Sequence, residues 1–185
     1  AYFFGEPQWA WSHIQMNGKA ATPADVREGT EPLGPIVGDD IAAIVGFPGG
    51  VRGHFASVGR KDINPLRWGM EIHGTKGIVS IRMDRVPKIH ILNDPSWTPG
   101  VSGAAWQPLP GLPEPVFPDS PVGHYKPIVD GIVEAAETGG APLCSLEDGR
   151  RAHECIQGVW QSHVDGGAPV RLPAASRSHP LASWT

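Results

Sequence analysis

Residues 70–82 constrain the fold of this chain most. Met70-Glu71-Ile72-His73 and Ile78-Val79-Ser80-Ile81-Arg82 alternate apolar and polar residues on either side of Gly74-Thr75-Lys76-Gly77. Period-two alternation spells half-buried strands, and two glycines bracketing a polar pair spell a tight reversal where positive φ costs little. The segment therefore reads as a β-hairpin. Much later, Ser145-Leu146-Glu147-Asp148 opens a stretch in which Ala152, Cys155, Ile156, Val159, Trp160 and His163 recur at helical spacing, closed by Gly166-Gly167. Ser145 is a good N-cap with Asp148 at the reciprocal position, so this stretch reads as an amphipathic helix. With strands first and helices last, and no strand-helix alternation to build a parallel doubly wound sheet, the expected class is α+β.

The rest of the chain fits that order. Residues 9–16, rich in aromatics, read as a first strand, and residues 17–38 as an aperiodic loop. Residues 40–47 are apolar on both faces, which suits a central strand. Pro48-Gly49-Gly50 turns the chain into a strand over residues 51–58, and a polar connection over 59–67 leads to the hairpin. Residues 88–92 read as another strand, reached through a turn at Asp84-Arg85, and Trp106-Gln107-Pro108-Leu109 as a short edge strand. Residues 124–138 read as a helix with Ile128, Val129, Ile132, Val133 and Ala136 on one side and Pro127 in its first turn. The expectation is an open-faced, mostly antiparallel sheet of about six or seven strands with two C-terminal helices on one face. The implied division is a helix tail and linker over residues 1–8, one α+β domain over 9–173, and a C-terminal tail over 174–185. Residues 1–8 lack a Met and resemble a helix end followed by Gly5 and Pro7, which implies that the natural chain starts earlier.

Charge and composition narrow the function. Net charge is −4, and no stripe of Lys or Arg is present to attract nucleic acid or an anionic membrane. Cys144 and Cys155 suit neither a zinc site nor a disulfide framework, so two reduced thiols in a cytoplasmic protein are expected. No apolar run reaches the roughly 20 residues needed to cross a bilayer.

Several motifs invite chemistry. Gly46 to Gly53 and Gly74-Thr75-Lys76-Gly77 are glycine-rich, yet each lies between strands, whereas a dinucleotide loop opens a helix whose N-terminus holds the pyrophosphate. Both read as turns. The eight histidines form no i, i+4 pair; His153 and His163 share a helix but lie about 15 Å apart. No metal site is expected. His13, His54, His73 and His90 fall on different strands, and a common register would give one polar, aromatic sheet face fit for a ligand or a second subunit. Arg60, Lys61 and Asn64 sit on a strand-to-strand connection where charged donors can orient a hydroxylated or carboxylated ligand. His124-Tyr125, at the mouth of the first helix, offers a hydrogen-bonding pair for a polyol. These five residues are the candidate substrate contacts; no catalytic or cofactor residue is assigned.

Gly38-Asp39-Asp40-Ile41-Ala42-Ala43, Glu71-Ile72-His73-Gly74-Thr75-Lys76-Gly77, Ser145 to Ala152 and Val170-Arg171-Leu172-Pro173, in that order, resemble the C-terminal domain of the Gfo/Idh/MocA family of NAD(P)-dependent oxidoreductases. That resemblance implies a missing N-terminal Rossmann domain carrying NAD or NADP, the cofactor glycines, the lysine and the acid/base residues. This chain would then bind no cofactor itself and would be inactive alone. It would supply pocket wall and homo-oligomer interface, at least a dimer through the sheet face, for a hydride transfer on a sugar, polyol or related hydroxylated compound. Two other readings stay open. One is a stand-alone binding or scaffold module using the same fold for association. The other is a metal-dependent carbohydrate enzyme, which the histidine spacing disfavours.

Overall fold

Alternation and aromatic content put residues 9–16 in a strand, and strand is what the computed structural model has there. It describes residues 3–30, 34–59, 68–82, 88–96, 102–112, 121–142 and 144–184, excluding the side chains of residues 121–124. The chain divides into two compact units, Ala1–Pro65 with Glu134–Thr185, and Leu66–Val133.

In the first unit, β1 (Trp9–Met16) pairs antiparallel along its whole length with β5 (Asp40–Gly46), which pairs with β6 (Arg52–Val58). The other edge of β1 is divided. Near its start it meets β11 (Val170–Arg171), and near its end β2 (Lys19–Ala20). The aperiodic reading of residues 17–38 needs refinement. Asn17 and Gly18 both take positive φ, 53° and 76°, and make a two-residue hairpin turn into β2. Asn-Gly is the strongest short hairpin signal and was legible in the sequence. Farther on, β3 (Arg27–Glu28) and β4 (Pro35–Ile36) form a separate ribbon.

The second unit holds the opening hairpin. There β7 (Gly69–Gly74) pairs with β8 (Gly77–Arg82), β8 with β9 (Lys88–Leu92), and β9 with β10 (Gln107–Pro108), all antiparallel. The expected edge strand at Gln107-Pro108 is present, while the turn at Asp84-Arg85 lies outside the described residues. Only one bracketing glycine carries the backbone demand: Gly77 has φ 153°, and a Cβ there would meet the Leu92 carbonyl oxygen at 2.1 Å. Gly74 has ordinary φ, and a Cβ there would make only an ordinary contact, 3.5 Å from the Gly77 carbonyl oxygen.

Helix α1 (Pro121–Thr138) begins earlier than expected, so Pro127 sits inside it, past the first turn where a missing N–H is harmless. Its apolar stripe, Ile128, Val129, Ile132 and Val133, is about half exposed. Helix α2 (Leu146–Val164) has the expected capping box: Asp148 N–H donates to Ser145 Oγ at 3.1 Å, and Ser145 N–H to the Asp148 carboxylate at 3.0 Å. It ends in a Schellman motif, with Gly166 N–H on the His163 carbonyl and Gly167 N–H on that of Ser162.

The face α2 turns inward overlaps the expected apolar stripe only in part: Val159 and Trp160 pack on the core, and Cys155 and His163 are partly buried. Glu154, Gly158 and Ser162 are buried, while Ile156 is 48% exposed and Ala152 is exposed. Small residues win because the helix lies close on β1. A Cβ on Gly158 would fall 3.1 Å from Ala10 Cβ and 2.7 Å from the Leu172 side chain. The core of this unit gathers Ile14, Ala21, Val37 and Leu181, flanked by Val159, Trp160 and Trp184. Residues 174–184 therefore contribute core side chains, where the sequence suggested only a tail.

Candidate functional site

Register decides which residues share a face. In the first sheet Ala10, Ser12 and Ile14 of β1 are buried on the α2 side. The opposite face carries Trp11 and His13 beside Ile44 and Ala42 of β5, and His54 and Ala56 of β6. His13, Ala42, His54 and Ala56 are exposed there. In the second sheet Met70, Ile72, Val79, Ile81, Ile89 and Ile91 fall on one face, and Glu71, His73, Ser80, Arg82, Lys88 and His90 on the other. The four histidines therefore do not share one sheet face, because their strands fall in two separate sheets: His13 lies with His54 in the first and His73 with His90 in the second.

On the polar face of the second sheet, which also carries Ile78 and Leu92, Glu71, His73 and Arg82 are exposed and prearranged, while Ser80 is buried. Arg82 Nη2 reaches Glu71 Oε1 at 2.8 Å, Arg82 Nε donates to Ser80 Oγ at 3.0 Å, and His73 Nε2 lies 3.6 Å from Glu71 Oε2. One guanidinium thus fixes both a carboxylate and a hydroxyl. A planar fork next to carboxylate and imidazole groups suits recognition of a hydroxylated or carboxylated small molecule.

A second feature lies at the divided edge of β1. Between β11 and β2 no strand among the described residues accepts the Ser12 and Ile14 amides, and α2 accepts them instead. Ser12 N–H donates to Ser162 Oγ at 3.0 Å, and Ile14 N–H to His163 Nδ1 at 3.3 Å. Ser12 Oγ returns a bond to the Val159 carbonyl at 2.5 Å. With Nδ1 accepting, the ring proton is assigned to Nε2, which lies 3.1 Å from the Ala21 carbonyl. His163 is therefore a neutral imidazole with both nitrogens committed. Burial pushes its pKa below the usual histidine value; the Ala21 carbonyl pulls upward and His13 adds to the depression. Over this seam opens a cleft of about 500 Å³ lined by Trp11, His13, His163, Gly166, Gly167 and Trp184 among others. His163 packs edge-on against both neighbouring rings, His13 at 6.2 Å and Trp184 at 5.4 Å.

Of the residues chosen from sequence, Arg60, Lys61 and Asn64 lie outside the described residues, as does the side chain of His124. Tyr125 stands on α1, 66% exposed. Sequence reasoning missed Ser12, Ser162 and Trp184 and placed His163 only as part of a helix stripe. No local signal marks them, because their role follows from an edge vacancy that exists only once three strands have paired.

The glycine-rich loops do not fit a dinucleotide. Gly49 and Gly50 lie in a three-residue 3-10 turn joining β5 to β6, and Gly74 and Gly77 in the β7–β8 hairpin. Neither opens an α-helix. The α2 N-terminus carries Glu147 and Asp148, which oppose a pyrophosphate. Among the described residues no three His, Cys, Asp or Glu side chains gather as a metal site, and no helix is long and apolar enough to cross a membrane.

Comparison with known proteins matches this architecture. An oxidoreductase domain protein from Kribbella flavida, known from its crystal structure, aligns with a TM-score of 0.63 at 18% identity, over 90% of this chain and 44% of that one. This chain thus spans less than half the length of that protein, and at such identity the likeness is one of fold. No curated protein matches the sequence. Residues 1–172 match the family described as "Oxidoreductase family, C-terminal alpha/beta domain". The α+β order, the antiparallel sheets and this match over nearly the whole chain place it in the Gfo/Idh/MocA oxidoreductase family, as that family's C-terminal domain.

Proposed function

We propose that this chain is the substrate-side and assembly domain of an NAD(P)-dependent dehydrogenase acting on a sugar, polyol or related hydroxylated compound, with the dinucleotide held by another part of the enzyme. The observation that carries this reading is the family match across residues 1–172. Two features support it. Both glycine-rich loops join strands, where a pyrophosphate finds no helix N-terminus. Glu71, His73 and Arg82, exposed on the second sheet, offer the donors and acceptors that hydroxyl recognition needs. In this reading the hydride moves between a nicotinamide and a carbinol carbon on the cofactor side, and this chain orients the substrate and shields it from water. Arg60, Lys61, Asn64, His124 and Tyr125 remain the proposed further contacts. The open sheet faces make a homodimer or larger assembly the expected state.

Titration calorimetry of the chain with NADH tests the division of labour. No saturable heat is expected, and micromolar affinity would overturn it. Chemical-shift mapping with myo-inositol and glucose tests the substrate side, with shifts expected at Glu71, His73 and Arg82. Unmoved resonances there, with shifts elsewhere, would relocate the pocket. Light scattering should return at least twice the 19.7 kDa chain mass; a monomer would count against the assembly role.

A further inference from the structure

The cleft at the divided edge of β1 holds a polar group that the fold leaves unserved. In a strand a residue's N–H and C=O point to the same side, so the Ser12 carbonyl leaves β1 on the side where the Ser12 N–H meets Ser162. Its neighbours along that edge are paired. Ala10 lies opposite Val170 of β11, and the Ile14 carbonyl accepts the Ala21 N–H at 3.0 Å. The Ser12 carbonyl, between them, meets no donor among the described residues, although Ser12 is only 1% exposed. Buried carbonyls are as a rule paired, so this one marks a place for an outside donor.

A donor in want of an acceptor stands beside it. The Trp11 indole N–H has no acceptor among the described residues, and both groups converge on Gly167, where a Cβ would lie 3.8 Å from Trp11 Nε1 and 3.9 Å from the Ser12 carbonyl oxygen. Having no side chain, Gly167 leaves that spot open to the cleft it lines. A single hydroxyl both donates to the carbonyl and accepts from the indole; a carboxylate or an ether has no proton to give. The walls set the rest of the ligand. Trp11, Trp184, His13 and His163 present rings, both nitrogens of His163 are already committed, and no Asp, Glu, Lys or Arg among the described residues lines the cleft. A polyol or an anion would leave most of its polar groups unpaired on entering, whereas a flat apolar ring gains contacts with the aromatic walls. A volume of about 500 Å³ suits a small molecule of this kind.

We propose that this cleft is a binding site for a neutral aromatic alcohol, with the hydroxyl seated between the Ser12 carbonyl and the Trp11 indole N–H and the ring against the surrounding indoles and imidazoles. The site lies in the first unit and uses none of the residues proposed for the sugar or polyol, so it stands or falls apart from that reading.

Chemical-shift titration of the chain with p-cresol at about pH 7.5, where the phenol keeps its proton, tests this. Saturable shifts are expected at the Trp11 indole N–H, His13, Gly166 and Gly167. The methyl ether of p-cresol has the same ring without the donor and should bind about tenfold more weakly, because it leaves the Ser12 carbonyl unpaired. Benzoate and glucose should leave these resonances unmoved. No saturable shift with p-cresol, equal affinity for its ether, or saturable binding of benzoate or glucose at these residues would overturn the proposal. Trp11→Phe keeps a ring on the wall and removes the N–H, so it should weaken p-cresol severalfold; unchanged affinity would overturn the assigned seat of the hydroxyl. Should that variant fold poorly, the ligand series on the wild-type chain decides by itself.

Discussion

Replacing Ser162 by Ala tests whether α2 stands in for a missing strand. Ser162 is fully buried and Ser12 is 1% exposed, so removing the Ser162 hydroxyl leaves the Ser12 amide proton without solvent or partner. An orphaned buried donor costs about 1–3 kcal/mol. Alanine returns a few tenths of a kcal/mol in helix propensity, leaving a net loss of about 0.5–2.5 kcal/mol. For a chain of this size each kcal/mol lowers Tm by about 2–4 °C. The contrast is Ser12→Ala. It deletes the donor to the Val159 carbonyl, but that carbonyl keeps its helical partner and no group is orphaned. Its cost should be only about 0.5–1.5 kcal/mol, so Ser162→Ala is expected to be the more damaging of the two. Urea unfolding followed by circular dichroism, with matching m-values, measures both. If Ser162→Ala unfolds at the wild-type midpoint, or Ser12→Ala is clearly the worse, the helix is not completing the β1 edge.

Other substitutions probe other links. Gly77→Ala should cost several kcal/mol, since a Cβ 2.1 Å from the Leu92 carbonyl oxygen forces β8 and β9 apart, whereas Gly74→Ala should stay within about 1 kcal/mol; urea midpoints separate them. Arg177→Ala removes one of the two guanidiniums on the Glu154 carboxylate, so that carboxyl should titrate higher than in wild type when followed by carbon NMR. With its pKa held low in the folded state, Glu154 stabilises the fold above the ordinary glutamate pKa, a contribution lost on further acidification. Under a thiol reagent at neutral pH, exposed Cys144 should react at once and Cys155 slowly, because burial raises the Cys155 thiol pKa; two equally fast thiols would contradict the burial of α2.

Local chemistry was written plainly in the chain. The β7–β8 hairpin, the Ser145–Asp148 capping box and the Gly166-Gly167 stop each depend on residues within a few positions of one another, so short-range rules suffice. The Asn17-Gly18 turn belongs to the same class, although its second strand, two residues long, is too short to show a period. The ordering of strands before helices likewise fixed the α+β class. Which side of α2 would be buried was beyond such rules. Hydrophobic periodicity rightly put Val159 and Trp160 against the core but also included Ile156 and Ala152, which are exposed; close approach to β1 brought Gly158 and Ser162 inside, a matter of backbone separation that no local pattern encodes. Likewise, that residues 174–184 belong to the core, and that His163 holds the Ile14 amide 149 positions away in sequence, depends on distant partners. Sequence determined the elements and their ends, where the interactions are short-range. Tertiary structure alone decided which polar groups are buried and who must satisfy them, because that requires the packed neighbours to be in place.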